Sequence, residues 1–426
     1  MMSYSPPISC RALLLLFWGL VSAAGQAPSM PLAPEWLRDY EFVELHGLDP
    51  GSGLAGKLTI EALGRTWELE VEPYDIRSDD YRAQVQTDWG PIELPAGAAN
   101  TYKGSVVGES ASQVRLARTE AGIQGYIRTP DEWIYIEPAA RFGLYSRNGD
   151  HLAYRAADLL EPVQPAACGV QDRPLGGLID DFEGLAQPRG AAFKQAQIAT
   201  EADFEMFQDF GSAAAVNQHV LSVLVFVEGI YEQDVGITFK VVFQNVWATS
   251  ADPYTTTEAC GSVTPNLLAQ FGSYWNANFA AVGRDLAHLW TGKDICVSTI
   301  PPPGNPCSVI GCAYTGVVCS FPSSSYGVSE NFSSVLHNLV LVTAHEVGHN
   351  FDAVHHGETC PRSIMNAGLL SCSTNFSTAS ISEINAHAAA HSGCTPSLSP
   401  QRLAVGSARG ATAGGRIRRF EPSSSP

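Results

Sequence analysis

Three histidines and one glutamate at a fixed spacing constrain this chain more than any other feature. The pentapeptide HEVGH at 345–349 puts two imidazoles four residues apart, and His355 follows six residues later. Because a helix advances about 100° per residue, His345 and His349 share one helix face. The chain is therefore expected to form a helix here and then to turn back, so that three imidazoles bind one zinc ion and Glu346 takes a proton from water.

A second signal follows, because Met365 in Ser-Ile-Met-Asn (363–366) lies ten residues past His355. HExxHxxGxxH with a methionine turn is the metzincin signature. Among metzincins the chain most resembles the reprolysins (adamalysins), as judged from Gly-Val-Ser after Tyr326, CAYTGVVC at 312–319 and DLAHLWTG at 285–292. The resemblance covers roughly residues 195–394, and a weaker likeness to reprolysin propeptides covers much of what precedes.

Two positions depart from the reprolysin pattern. Asp352 replaces the glycine between the second and third ligands, and His356 replaces the aspartate that usually follows the third. Glycine suits that turn because the backbone needs a positive φ, and Asp is among the side chains that next best tolerate it. We therefore expect Asp352 to end the helix as glycine would. We expect His356 to lie outside the ligand set, at its periphery or at the surface.

The resemblance implies a fold, a cofactor and an activity. It implies an α+β or α/β metzincin domain, a mixed twisted sheet with flanking helices, preceded by a β-rich prodomain. It implies one catalytic Zn²⁺ and a metalloendopeptidase that acts on protein or peptide substrates, with Glu346 as the base. It also implies that Met365 forms an apolar floor beneath the metal and that substrate binds as an extended strand along Val309–Thr315.

Two other functions fit the same motif. In a zinc peptidase of another branch, a downstream acid such as Glu383 would be the third ligand. The spacing of His355 and the methionine turn speak against this. In a non-catalytic secreted zinc-binding protein, Asp352 and His356 would be signs of a drifting site. An intact Glu346 favours activity, because a protein that only binds has no need of a base.

Cysteine usage separates the chain into parts. Of ten cysteines, Cys10 lies near the N-terminus, Cys168 stands alone, and eight fall between Cys260 and Cys394. An even set in an exported domain predicts four disulfides, although eight cysteines allow 105 pairings. The resemblance implies the pair Cys319–Cys394 and a second pair, Cys360–Cys372.

The solitary Cys168 stands in Pro-Ala-Ala-Cys-Gly-Val-Gln at 165–171, which is similar to the Cys-Gly-Val switch that ends reprolysin propeptides. A thiolate is a good fourth ligand for zinc, and three histidines plus a cysteine make a closed site with no position for water. The protein's own propeptide would then inhibit the peptidase, and the precursor would be latent. The alternative is an ordinary unpaired cysteine in a linker.

The N-terminus reads as a signal peptide at 1–23, with an apolar run at 12–21 before small residues. We expect a secreted, extracellular or periplasmic protein without a transmembrane segment. The expected domains are a propeptide at 24–189 with a Pro- and Gly-rich linker at 160–190, a peptidase domain at 190–394 and a disordered tail at 395–426. Arg189 is a plausible processing position.

Periodicity predicts the main elements. Polar and apolar residues alternate at 67–72, 114–118 and 133–136, which predicts half-buried antiparallel strands. Helical spacing at 216–231 precedes a strand at 237–243, a helix at 264–281 and a strand at 286–290. The active-site helix is expected to start at Ser333 or Ser334, and a last helix at Ser380 with Glu383 as a capping box.

Charge limits the partners. The whole chain carries a formal net charge of −18, and residues 190–394 contain 16 acidic against 5 basic side chains. Such a region is poorly suited to bind nucleic acid or an anionic membrane. We therefore expect no nucleic-acid partner.

Overall fold

The computed structural model describes residues 37–45, 54–144, 150–160, 167–170, 194–261, 265–296, 307–356, 363–368 and 374–397. The predicted signal peptide, Arg189, the pair Cys360–Cys372 and all but the first three residues of the predicted tail lie outside these ranges.

One sheet of eight antiparallel strands lies within the N-terminal region, which is here defined as residues 37–160. Its spatial order is β1-β10-β9-β8-β7-β6-β3-β2. The strands are β1 Glu41–Val43, β2 Gly56–Ala62, β3 Arg65–Pro73, β6 Thr101–Val106, β7 Gln113–Thr119, β8 Gly122–Arg128, β9 Trp133–Pro138 and β10 His151–Arg155, with β4 Arg77–Thr87 and β5 Gly90–Leu94 leaving the sheet between β3 and β6. The predicted β-rich N-terminal part of the chain is thus present.

The second sheet is mixed and has the order β11-β15-β16-β14-β12-β13-β4-β5. Its remaining strands are β11 Ala167–Cys168, β12 Lys194–Ala202, β13 Ile237–Trp247, β14 Leu286–Thr291, β15 Val309–Ala313 and β16 Tyr326–Glu330. The strands β4, β13, β12, β14 and β16 run parallel to one another, whereas β15 is antiparallel to β16 and β5 is antiparallel to β4. The predicted βα alternation is present, but the hairpin β4–β5 of the N-terminal region extends this sheet.

Five helices accompany the strands in the described ranges. They are α1 Phe204–Phe210, α2 Ala213–Asp234, α3 Leu267–Asn278, α4 Leu336–Asn350 and α5 Thr378–Ala390. Two predicted caps were wrong. Helix α5 begins one turn earlier than predicted, because Ser377 accepts the N–H of Ser380. Helix α4 begins after Val335, which offers no capping side chain.

Helix α2 is long and apolar enough to cross a membrane by length and composition, but 78% of its most apolar window is buried inside the protein. This burial is that of a core helix. Apolar residues occur on all sides of α2, because sheet strands pack against one side and α4 packs against another. Most of its polar side chains lie towards its two ends.

Strands β7, β8 and β9 are buried on both faces, so the expectation of half-buried strands was wrong for them. On one face Val114, Ile127 and Ile136 pack into a core within the N-terminal sheet. On the other face Tyr126 and Tyr135 join the core that α2 and α4 build. The hydrophobic core around α2 and α4 therefore continues into the N-terminal region.

Among the residues that the structure describes, three disulfides tie the part that carries helices α3 to α5. They join Cys260 to Cys312, Cys296 to Cys307 and Cys319 to Cys394. The resemblance implied the pair Cys319–Cys394, and the structure contains it.

Candidate metal centre

Helix α4 and the turn after it bring the three predicted histidines together. His345 and His349 lie one helical turn apart on the same face, and both are buried. Helix α4 ends at Asn350, and two residues later the φ of 72° at Asp352 reverses the chain and directs His355 back to the helix. Asp352 therefore occupies the left-handed conformation that was expected of the replaced glycine.

The three imidazoles converge through their Nε2 atoms, each of which lies 3.1 Å from the other two. The Nδ1 atom of His345 faces the carbonyl of Ile364 and that of His349 faces the carbonyl of Ala353, both at 2.7 Å. A carbonyl oxygen can only accept, so Nδ1 of His345 and Nδ1 of His349 are donors, and Nε2 of each neutral ring carries a lone pair.

Lone pairs that point at one another repel unless a cation lies between them. Tetrahedral zinc with bonds of about 2.0–2.1 Å separates two nitrogens by about 3.3 Å, close to the observed spacing. Burial, followed by the neighbouring imidazoles, lowers the pKa of His345 to about 3 and that of His349 well below its usual range. Both rings are thus neutral, as metal ligands must be. The three side chains fit a zinc ion.

Cys168 completes a four-residue cluster with the three histidines, whose donor atoms all lie within 4.8 Å of one another. Its Sγ lies 3.5 Å from Nε2 of His349, where tetrahedral zinc geometry gives about 3.6 Å. The backbone of this segment is held on two sides. Ala167 donates to Ser308 on one side, Gly169 donates to Gly311, and Cys168 donates to Ala367 across the cleft.

Glu346 lies on the same helix beside the histidines and is completely buried. Within the described residues no N–H or hydroxyl group donates to either of its carboxylate oxygens. Burial raises its pKa to about 8, and the Cys168 thiol lowers it by a smaller amount. A buried acid with a raised pKa next to a cation site is suited to exchange protons near neutral pH.

Met365 lies directly beneath the helix. It is fully buried, and a Cβ placed on Gly348 would lie 2.6 Å from its sulfur. The glycine in the HEVGH motif therefore lets the methionine approach the helix backbone below the histidines.

Glu383, the alternative third ligand, points elsewhere. Its carboxylate accepts the backbone N–H of Val354 at 3.2 Å and lies 3.1 Å from Nε2 of His356. His356 thus pairs with Glu383 at the periphery of the centre, and neither belongs to the cluster of donor atoms. This arrangement favours His355 over Glu383 as the third ligand.

His387 and His391 lie four residues apart at the end of α5, and each has a partner other than a metal. His387 lies 2.8 Å from the carbonyl of Val318, and His391 lies between the His387 carbonyl and the hydroxyl of Ser320. These contacts are those of structural histidines.

Sequence reasoning missed the residues of the N-terminal region that contact α4. The carboxylate of Glu137 accepts the N–H of Leu336 at 3.0 Å, and the hydroxyl of Tyr135 lies 3.0 Å from Nδ1 of His337. A buried carboxylate on a strand was the available signal, but its partner lies about 200 residues further along the chain.

Comparison with known proteins agrees with this geometry. A family model described as metallo-peptidase family M12B, reprolysin-like, matches residues 217–356. One relative, from Mus musculus, is named "A disintegrin and metalloproteinase with thrombospondin motifs 18". It is 25% identical over 370 residues, and the match covers 71% of this chain. The chain spans only 29% of that relative. Residues 217–356 are therefore similar to the reprolysin-like metallopeptidases.

Proposed function

We propose that the chain is a secreted zinc-dependent endopeptidase, made as a latent precursor, that hydrolyses peptide bonds in proteins. The observation that carries this proposal is the convergence of His345, His349 and His355, whose Nε2 atoms lie 3.1 Å apart. These residues would hold one Zn²⁺. When bound, zinc supplies a Lewis acid that polarises a carbonyl group and makes water more acidic.

Glu346 is the proposed general base. Its buried carboxylate would take a proton from the attacking water and pass it to the nitrogen of the departing amine. A pKa raised by burial suits both steps, because the group can hold and release a proton near neutral pH. Burial also keeps bulk water from competing for the carboxylate.

The proposed substrate site is the edge of the mixed sheet at β15. An extended peptide can pair there through its backbone, which favours long, unfolded or flexible protein segments over small molecules. The segment Ala167–Gly169 occupies this edge in the structure and donates to Ser308 and Gly311. Met365 would serve as the apolar floor beneath the metal.

Cys168 is the proposed latency element. Its thiolate would add a fourth ligand to the three histidines and close the position that catalysis needs for water. Two contacts support this role, namely the 3.5 Å approach of Sγ to His349 and the occupation of the substrate edge by the same segment. The proposed propeptide is 24–189, the proposed peptidase domain is 190–394, and residues 1–23 would direct export to an extracellular or periplasmic location.

The deciding experiment measures zinc content and cleavage of an unfolded protein by the processed enzyme. Glu346→Ala should keep one zinc per molecule while cleavage falls by about 10²–10⁴-fold. His355→Ala should lose zinc, whereas Glu383→Gln, the control, should keep both zinc and activity. Wild-type protein with bound zinc and no cleavage of any protein would leave the non-catalytic binding protein as the function.

A further inference from the structure

We propose that the N-terminal region, residues 37–160, remains bound as a structural subunit of the peptidase after the linker is cut, and that only the segment around Cys168 has to leave the cleft. The inference goes beyond the proposed function. Its statement about the segment around Cys168 rests on that function, whereas the association of the two parts of the chain is tested independently of it. Four sets of contacts carry it.

The first contact is a shared sheet. Residues Arg82–Gln86 of β4 pair in parallel with Phe243–Trp247 of β13. Side chains reinforce this seam, because Tyr81 donates to Gln244 at 2.6 Å and both Gln84 and Gln86 donate to Asn245. Without β4, the 11-residue strand β13 would present an open, apolar edge, which folded proteins avoid.

The second contact is a shared core. Tyr126 of β8 packs against Phe226 of α2 with ring centroids 6.0 Å apart, in the same cluster as residues of α4. Helix α2 approaches so closely that a Cβ on Gly229 would collide with the Tyr126 hydroxyl and lie 3.0 Å from Cγ of Arg115. Glycine in mid-helix is unfavourable, and this close approach offsets the cost.

The third contact is a set of buried ion pairs. Arg115 of β7 lies 3.2 Å from Glu228 and also contacts Glu232, and the side chains of Arg115 and Glu228 are 3% and 1% exposed. Arg128 of β8 lies 2.6 Å from Asp234. Loss of the N-terminal region would break these ion pairs, whose charge-assisted hydrogen bonds lie away from water in the intact chain.

The fourth contact is the start of the active-site helix. Helix α4 has no cap of its own, and the carboxylate of Glu137 accepts the N–H of Leu336 at its first turn. A carboxylate there also complements the positive end of the helix dipole. Glu137 is thus a positioning residue for the helix that carries His345 and Glu346.

The segment around Cys168 is held differently. Ala167 and Cys168 are only half-buried, and the pairing of β11 with β15 covers two residues. A cut between 171 and 193 alone leaves Cys168 attached to the N-terminal region. A second cut between 161 and 166 frees the short segment without disturbing the four contacts described above.

The test uses the full chain with recognition sites for two specific proteases, one within 161–166 and one within 171–193. The background is Glu346→Gln, so that self-cleavage is excluded, and a C-terminal tag captures the peptidase chain. After both cuts, the N-terminal chain should co-purify in equimolar amount and the complex should elute as one species. Separation of the two chains in native buffer overturns the proposal, whether or not the peptidase chain stays soluble.

A pair of glycine variants checks which surface holds the chains together. Gly229→Ala should raise the dissociation constant of the cut complex at least about tenfold, because the added methyl group overpacks this contact and so weakens the association of the two chains. Adding Tyr126→Phe should restore part of the loss. Gly283→Ala is the control, because no atom lies within 4 Å of the added Cβ. Equal dissociation constants for Gly229→Ala and Gly283→Ala would overturn the assignment.

Discussion

Gly311 on β15, the neighbour of the short edge strand β11, lies against the carboxyl group of Glu346. A Cβ at this position would lie 2.5 Å from Oε1 and 2.8 Å from Cγ of Glu346. The glycine leaves the space that the proposed base occupies, and its carbonyl also accepts the N–H of Gly169 beside Cys168. One backbone position thus sets the place of the proposed base and lines the proposed substrate site.

We predict that Gly311→Ala separates zinc binding from catalysis. The added methyl group pushes the Glu346 carboxyl away from its position, and a displacement of about 1 Å at a reacting group costs on the order of 10²-fold in rate. Zinc content should stay at one per molecule, because the three atoms nearest to the added Cβ all belong to Glu346 and none belongs to a histidine. Steady-state kinetics and metal analysis on the processed enzyme test this; a kcat within about twofold of the wild type, as for the control Gly283→Ala, would contradict it.

We predict that Cys168→Ala and Gly169→Ala both weaken latency. Removal of the thiol reopens the fourth ligand position, so the uncut Cys168→Ala precursor should gain cleavage activity at least about tenfold over the wild-type precursor. Gly169→Ala should give a smaller gain, because its Cβ would lie 2.7 Å from Sγ of Cys260, which a disulfide holds in place. After excision of the segment, all three proteins should have equal activity. A Cys168→Ala precursor as silent as the wild type would remove the thiol from the latency mechanism.

Local signals in the sequence predicted that the three histidines lie together. No signal in the sequence indicated which distant residues would support them. The spacing of His345, His349 and His355 and the turn at Asp352 depend on one helix and one φ angle, which a few neighbouring residues determine. The cap of α4 depends on Glu137, in a strand far along the chain. Periodicity carries no information about which distant residue will arrive there.

The same reason explains the two larger surprises of the fold. The alternation in β9 predicted one buried and one solvated face, but Tyr135 faces α4 and is fully buried. A tyrosine is amphipathic and fits either environment, so its identity could not decide between them. The transfer of the β4–β5 hairpin to the mixed sheet likewise depends on β13, which follows about 150 residues later.

We predict that Glu137→Ala destabilises the whole protein by about 1–3 kcal/mol, because it leaves the N–H of Leu336 and the hydroxyl of Tyr154 without their acceptor in a buried site. Denaturant unfolding followed by circular dichroism measures this. Glu61→Ala, an exposed position in the same sheet, is the control and should change stability by less than about 0.5 kcal/mol. Equal stabilities of the two variants would show that Glu137 does not support α4.

We predict that Glu201 makes the protein less stable as the pH rises. Burial raises its pKa from 4.5 to about 7, although Trp247, Tyr254 and Trp275 donate hydrogen bonds that oppose the shift. The folded protein therefore keeps a proton that the unfolded chain has lost, so stability falls between about pH 4.5 and pH 7 and is level above that.

The variant Glu201→Gln has no such proton to lose. Relative to the wild type, its free energy of unfolding should improve by about 3 kcal/mol between pH 4.5 and pH 7.5, because each unit of pKa shift is worth about 1.4 kcal/mol. Other buried acids and the metal centre titrate equally in both proteins and cancel in the difference. Urea unfolding at four or five pH values measures this difference, and parallel curves for the two proteins would mean that Glu201 is ionised in the fold.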